Sequence, residues 1–109
     1  MYTKGAGSML EIIVNPAAGN GRAKVIAQEI ETYLKEKGVA FQLLFTTEPD
    51  HATLLAREAA ARGAETVVAV GGDGTITEVA RGLAHTDTAL GIIPSGTGND
   101  FVKAISKFI

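Results

Sequence analysis

Hydrophobic residues recur along the chain in two rhythms that alternate four times. Residues 10–14 form an apolar run broken only by Glu11, residues 39–45 a second run carrying Gln42, residues 66–70 a third with three valines, and residues 89–93 a fourth. Short, nearly continuous runs bounded by turn residues predict strands buried on both faces, as in a parallel sheet covered by helices. Between them the spacing lengthens to three and four. Ile26, Ile30 and Leu34, flanked by Ala23, Ala27 and Tyr33, draw one face of a helix over residues 23–37. Leu54, Leu55 and Ala59 predict the buried side of a second helix ending near Arg62, Ile76, Val79, Ala80 and Leu83 that of a third, and Phe101, Ala104, Ile105 and Phe108 that of a fourth. Gly38 and Gly63 stand where the first two helices should stop. Gln42 marks the second strand as an edge strand.

Strand and helix alternating in this way predict an α/β fold, a three-layer Rossmann-like parallel sheet of about four strands flanked by helices, with right-handed crossovers. All loops leaving the strand C-termini then open on one edge of the sheet, where ligands of such folds sit. With strand order 2-1-3-4, three glycine-rich exits become neighbours: residues 15–21, 71–75 and 95–100. The remaining exit brings the Thr46 hydroxyl.

The third exit is the most informative. After the valine run come Gly71, Gly72, Asp73, Gly74 and Thr75. Glycines there can take positive φ and expose backbone N–H groups to an anion. Thr75 and Glu78 have the T-x-x-E spacing of a helix capping box. A strand, a glycine turn and a helix N-terminus together make a place for phosphate. Asp73 beside phosphate oxygens would repel them unless it binds a hydroxyl, holds a metal-bound water or takes up a proton; the bland alternative is a local turn or cap. Asn15 either closes a turn before Pro16 or donates its amide to a phosphate wrapped by the Gly19 to Gly21 backbone. Thr97 is a candidate hydroxyl donor, Asn99 a cap for the last helix, and Asp100 a carboxylate suited to a first helical turn. Thr47 and Asp50 form a capping arrangement for the second helix. Arg22 and Lys24 read as solvated charges. His51 and His85 have no matched partners for a metal or a triad, and neither is assigned a role. There is no G-x-x-x-x-G-K-[ST] sequence and no G-x-G-x-x-G fingerprint, which weakens the case for a P-loop NTPase or an ordinary dinucleotide dehydrogenase.

Composition narrows the partners. The chain of 109 residues carries a formal charge of -2 from scattered charges, so nothing steers it to nucleic acid. Cysteine is absent, which removes thiol chemistry and zinc-thiolate sites. Apolar runs are far shorter than the roughly 18 to 20 residues of a membrane span. Residues 1–8 read as a leader, with Met9 as the natural start and 9–109 as the domain. The last stripe still presents Phe108 and Ile109, so a domain cut from a longer protein is expected, with a missing C-terminal domain covering the Phe101, Ile105 and Phe108 face.

Taken in order, Asn15-Pro16-Ala17-Ala18-Gly19, Gly71-Gly72-Asp73-Gly74-Thr75 with Glu78, and Gly96-Thr97-Gly98-Asn99-Asp100-Phe101 resemble the N-terminal half of the diacylglycerol kinase catalytic domain family, which includes bacterial lipid kinases and sphingosine kinases. The resemblance covers essentially the whole chain. It implies the ATP-binding domain of a two-domain, ATP-dependent lipid kinase that transfers the γ-phosphoryl group to a lipid hydroxyl such as that of diacylglycerol. Nucleotide contacts would then come from Asn15, Pro16, Ala17, Ala18, Gly19, Thr46, Gly72, Asp73, Gly74, Thr75, Ile76, Thr77, Glu78 and Thr97, with Mg2+ as cofactor. The resemblance places the general base and the structural magnesium ligands of the bacterial enzymes in the second domain, so the fragment alone is expected to be inactive. Asp73 stays open between base, magnesium-water ligand and nucleotide positioning. A cytoplasmic enzyme with transient membrane contact is implied, and a homodimer is compatible with it. Two alternatives remain: an NAD or other small-molecule kinase, since NAD kinases share the G-G-D-G-T turn, and a non-catalytic nucleotide-binding or interaction module.

Overall fold

The computed structural model describes residues 9–96 and 101–109. Each apolar run becomes a strand and each stripe a helix: β1 (Leu10–Val14), α1 (Arg22–Glu36), β2 (Phe41–Phe45), α2 (His51–Ala61), β3 (Thr66–Gly71), α3 (Asp73–Leu83), β4 (Ala89–Pro94) and α4 (Phe101–Ser106). The sheet is parallel throughout, in the order β2-β1-β3-β4. Successive strand residues point to opposite faces, and the core divides accordingly. Leu10, Ile12, Val14, Val68, Val70 and Ile93 meet α1 and α4 on one side. Ile13, Val67 and Ala69 meet α2 and α3 on the other. The expected three-layer α/β architecture is therefore present.

Helix ends set the strand starts. Gly38 has φ +69, its N–H donates to Lys35 O (3.2 Å), and the Val39 N–H donates to Leu34 O (3.1 Å). This Schellman closure uses Val39 to finish α1, so β2 begins at Phe41 and not at residue 39 as the apolar run predicted. The same closure ends α2, where Gly63 has φ +87 and the Ala64 N–H donates to Ala59 O (3.1 Å).

The buried side of α2 differs from expectation. Ala52, Ala56 and Ala59 are buried, whereas Leu54 is 49% exposed and Leu55 is only half-buried. The cause is the close approach of α3: a Cβ on Gly82 would run into the Thr53 carbonyl oxygen and lie 2.8 Å from Ala56 Cβ. At that separation only alanines fit between the helices. Thr53 Oγ1 adds a polar tie, donating to Glu78 O at 2.8 Å. On α3 the buried residues are Thr75, Val79, Gly82 and Leu83, while Ala80, expected in the stripe, is exposed.

The Phe101, Ile105 and Phe108 face is also corrected. Phe101 and Ile105 are 9% and 0% exposed, packed into the α1-side core, and the Phe108 ring lies over Gly91, where a Cβ would be 2.5 Å from its Cζ. The chain thus buries Phe101 and Ile105 itself, while Phe108 is half-buried and Val102 and Ile109 stay exposed.

One charge is buried in the sheet. Glu11 on β1 has 6% side-chain exposure and pairs at 2.9 Å with Arg62 Nη2, from the end of α2. Arg62→Met should cost about 1–3 kcal/mol by leaving that carboxylate unpartnered, and Glu11→Leu in the same background should recover most of the loss, both read from urea midpoints. Gly82→Ala should destabilise the fold by about 1–3 kcal/mol through overpacking of α2 on α3. A denaturation midpoint unchanged from wild type would contradict that close contact.

Candidate functional site

The ladder brings the strand ends to one level. Val14 is in register with Phe45 and with Val70, and Gly71 with Pro94. Backbone bonds continue one residue into the exits of β2, β1 and β4: Thr46 N–H to Val14 O (2.9 Å), Asn15 N–H to Val70 O (3.1 Å) and Ser95 N–H to Gly71 O (2.9 Å). The exits thus start from fixed points along one edge. A cleft of about 510 Å³ opens there, lined by Asn15, Pro16 and Ala17 after β1, Thr46 to Pro49 after β2, Ala52 of α2, and Gly74, Thr75 and Glu78 of α3.

The β3 exit is shaped by contact, not by unusual torsion angles. Gly71, Gly72 and Gly74 do not have the positive φ expected of them; Gly72 is extended at φ -96° and ψ -168°. Gly71 is needed for another reason: a Cβ there would lie 2.7 Å from Thr75 Oγ1 and 2.8 Å from Thr75 Cβ. Thr75, 5% exposed, is the plug beneath the turn. It is therefore no N-cap, and the expected Thr75/Glu78 capping box is absent; Gly72 occupies the cap and offers no side chain. Ile76 N–H makes the first helical bond, to Gly72 O at 3.0 Å. The amides of Asp73, Gly74 and Thr75 are thus left at the positive end of the α3 dipole without intrahelical acceptors.

The β1 exit closes on itself. Asn15 Oδ1 accepts the Ala17 N–H at 3.2 Å and Asn15 O the Ala18 N–H at 3.0 Å, the turn-closing arrangement. Its Nδ2 finds no acceptor among the described residues. Gly19, Asn20 and Gly21 follow with φ +64, +57 and +92, and Gly19 packs on the β4 exit, where its Cβ would be 3.1 Å from Ser95 Oγ. Ser95 is itself buried.

At the β2 exit, Thr47 and Asp50 do not cap α2 as expected. Asp50 holds φ +66, makes no capping bond, and sends its carboxylate to a loose, exposed ion pair with Arg81 (3.9 Å). The residue that ties the turn is His51, left without a role by the sequence: its Nδ1 accepts the Thr47 N–H at 2.9 Å.

Of the predicted site residues, Asn15, Pro16, Ala17, Thr46, Gly74, Thr75 and Glu78 line the cleft together. Ala18 packs against the α1-side core and Ile76 against the α2/α3-side core. Gly19 joins two exits, Gly72 caps α3, and Asp73 and Thr77 are exposed outside the cleft lining. Thr97, Asn99 and Asp100 lie outside the described residues. Sequence reasoning passed over Thr47, Glu48, Pro49 and Ala52 as cleft walls; their position directly after Thr46 was the available signal. No group of three or more metal-ligating side chains occurs among the described residues.

Residues 9–107 match the family described as the diacylglycerol kinase catalytic domain. The chain is 41% identical over 96 residues to a diacylglycerol kinase of Bacillus subtilis (strain 168), covering 86% of the chain and 32% of the relative. It is 37% identical over 91 residues to one of Mycobacterium tuberculosis, covering 84% and 29%. A crystal structure of a diacylglycerol kinase from Bacillus anthracis str. Sterne superposes with a TM-score of 0.70 at 35% identity, covering 87% of the chain and 36% of that structure. The chain spans about a third of the length of these relatives.

The two adjacent glycines should respond differently to a methyl group. Gly71→Ala should lower the melting temperature by driving Thr75 out of place, at a cost of about 1–3 kcal/mol. Gly72→Ala, with no atom within 4 Å of its new Cβ and φ in the ordinary range, should melt close to wild type. Equal melting temperatures for the two variants would refute the Thr75 plug.

Proposed function

The chain belongs to the diacylglycerol kinase catalytic domain family, and on that premise we propose that it is the nucleotide-binding part of an ATP-dependent lipid kinase acting on a lipid hydroxyl such as that of diacylglycerol. The observation that carries this reading is the meeting of three strand exits and the uncapped α3 N-terminus at one cleft. In this reading the Asp73, Gly74 and Thr75 amides receive phosphate oxygens, where helix dipole and open N–H groups both favour an anion. Asn15 Nδ2 and the Thr46 and Thr47 hydroxyls donate from the facing walls, and Pro16, Ala17 and Pro49 give the apolar surface a base requires. Thr97 is kept as a hydroxyl donor on sequence grounds.

Magnesium commonly keeps several waters and takes only one or two carboxylates beside substrate phosphates, so Glu78, which shares the cleft lining with Glu48, fits such an ion without a protein cage. When bound, the ion neutralises phosphate charge. The lipid oxygen forms a bond to the γ-phosphorus as the bond to the β–γ bridging oxygen breaks, and the hydroxyl proton passes to a carboxylate. Asp73 or a carboxylate in the remaining two thirds of the protein takes that proton, and the isolated chain binds nucleotide without turning over. Transient membrane contact by the whole enzyme fits a lipid substrate; no helix among the described residues is long and apolar enough to cross a membrane.

In the full-length protein, Asp73→Asn should lower kcat by about 100-fold or more while leaving the melting temperature unchanged, since the side chain is exposed. Label from γ-labelled ATP should appear in diacylglycerol. Equal turnover by variant and wild type would remove Asp73 from the mechanism, and label entering NAD instead of lipid would overturn the substrate assignment.

A further inference from the structure

His51 stands at the first position of α2, half-buried, with its side chain folded back over the turn that precedes it. Nδ1 lies 2.9 Å from the Thr47 backbone nitrogen, with the N–H directed at it, and 3.3 Å from Thr47 Oγ1. The backbone of the same residue donates to Glu48 O at 3.2 Å. Both bonds tie α2 to residues 47 and 48, which form one wall of the cleft. An Nδ1 that accepts must be unprotonated, which places the ring proton on Nε2.

No other side chain holds this wall among the described residues. Asp50, where a capping side chain is expected, is in the left-handed region and makes no capping bond. Thr46 is fixed by the ladder through Val14 O, but the ladder stops there; Asp50 is held by the Leu54 N–H (3.4 Å) and the loose Arg81 pair, and residues 47 and 48 by the two His51 bonds. The charged groups carried by the turn and by α3 are Glu48 and Asp50 on the turn and Asp73, Glu78 and Arg81 on α3. Protonation of Nδ1 would set a donor against the Thr47 donor and release the turn.

We propose that His51 is a positioning residue of the nucleotide cleft, whose neutral imidazole holds the Thr47–Pro49 wall in place and lets go of it on protonation. The inference rests on the nucleotide reading given above, and it adds acid sensitivity to that site. Histidine is the side chain whose charge ordinarily changes between about pH 5 and 8. The wall is therefore intact at the alkaline end of that range and loosened at the acid end.

The test uses the 109-residue chain, labelled with nitrogen-15, and ATP with magnesium. At about pH 8, a scalar coupling across the hydrogen bond between the Thr47 amide nitrogen and His51 Nδ1 is expected, and it should vanish as the ring protonates. His51→Ala should weaken ATP binding about two- to tenfold, the worth of one hydrogen bond. His51→Asn should restore it, because the asparagine oxygen is attached to Cγ as Nδ1 is and does not titrate in this range. ATP affinity of the wild type should fall on acidification more than that of His51→Asn, a comparison that cancels the titration of ATP itself. Melting curves of all three proteins separate loss of the wall from loss of the fold. A proton found on Nδ1 at about pH 8 would overturn the proposal, as would equal ATP affinity and equal pH profiles in the three proteins. Failure of the wild type to bind ATP at any pH, with the coupling present, would overturn the nucleotide reading and this inference with it.

Discussion

The candidate site depends on a backbone constraint: a parallel ladder whose strands finish at one level and whose hydrogen bonds run one residue further. Val14, Phe45 and Val70 are in register, and the first residue of three exits is still bonded to its neighbouring strand. Three polypeptide segments distant in sequence therefore leave the sheet from known positions. Gly71 ends β3 in register with Pro94, and residues as small as Asn15 and Thr46 meet Thr75 of the β3 exit in a common cleft at that edge.

The two faces of the sheet are built differently. The α1/α4 side is filled by large branched residues, Ile12, Ile26, Ile30, Leu34 and Ile105 among them. The opposite side is thin, with alanines at 52, 56, 59, 64 and 69, and Gly82 lets α2 lie almost against the α3 backbone. That thinness has a consequence for the cleft. α2 carries the β2 exit at its start, α3 carries the β3 exit at its start, and the tight helix pair, pinned by Thr53 on Glu78 O, fixes the distance between these two walls.

Much of this was legible in the residues. Nearly continuous apolar runs and glycines at the helix ends predicted the parallel sheet, and the strand order on which three glycine-bearing exits become neighbours is the one observed. The failures share a cause: periodicity counts hydrophobic side chains and cannot see how near the neighbour will be. Leu54 and Leu55 scored as core, yet the space facing α2 admits only Ala52, Ala56 and Ala59. Thr75 and Glu78 had capping spacing, but the helix starts at Asp73, and the threonine is pulled under Gly71. Phe101, Ile105 and Phe108 looked unpartnered because their partners, Gly91 and the α1 stripe, lie distant in sequence. His51 was invisible because accepting a hydrogen bond from four residues back leaves no composition signal.

The Thr75 plug bears on what a ligand encounters on arrival. Steric contact between Gly71 and Thr75 restricts the end of β3, so freedom there is surrendered when the chain folds and not when a ligand docks. Fixing a flexible backbone at the moment of docking costs about 1–2 kcal/mol for each residue ordered. A receptor preorganised in this way escapes that cost for its glycine turn, and discrimination between rival anions would then reside chiefly in how long each stays.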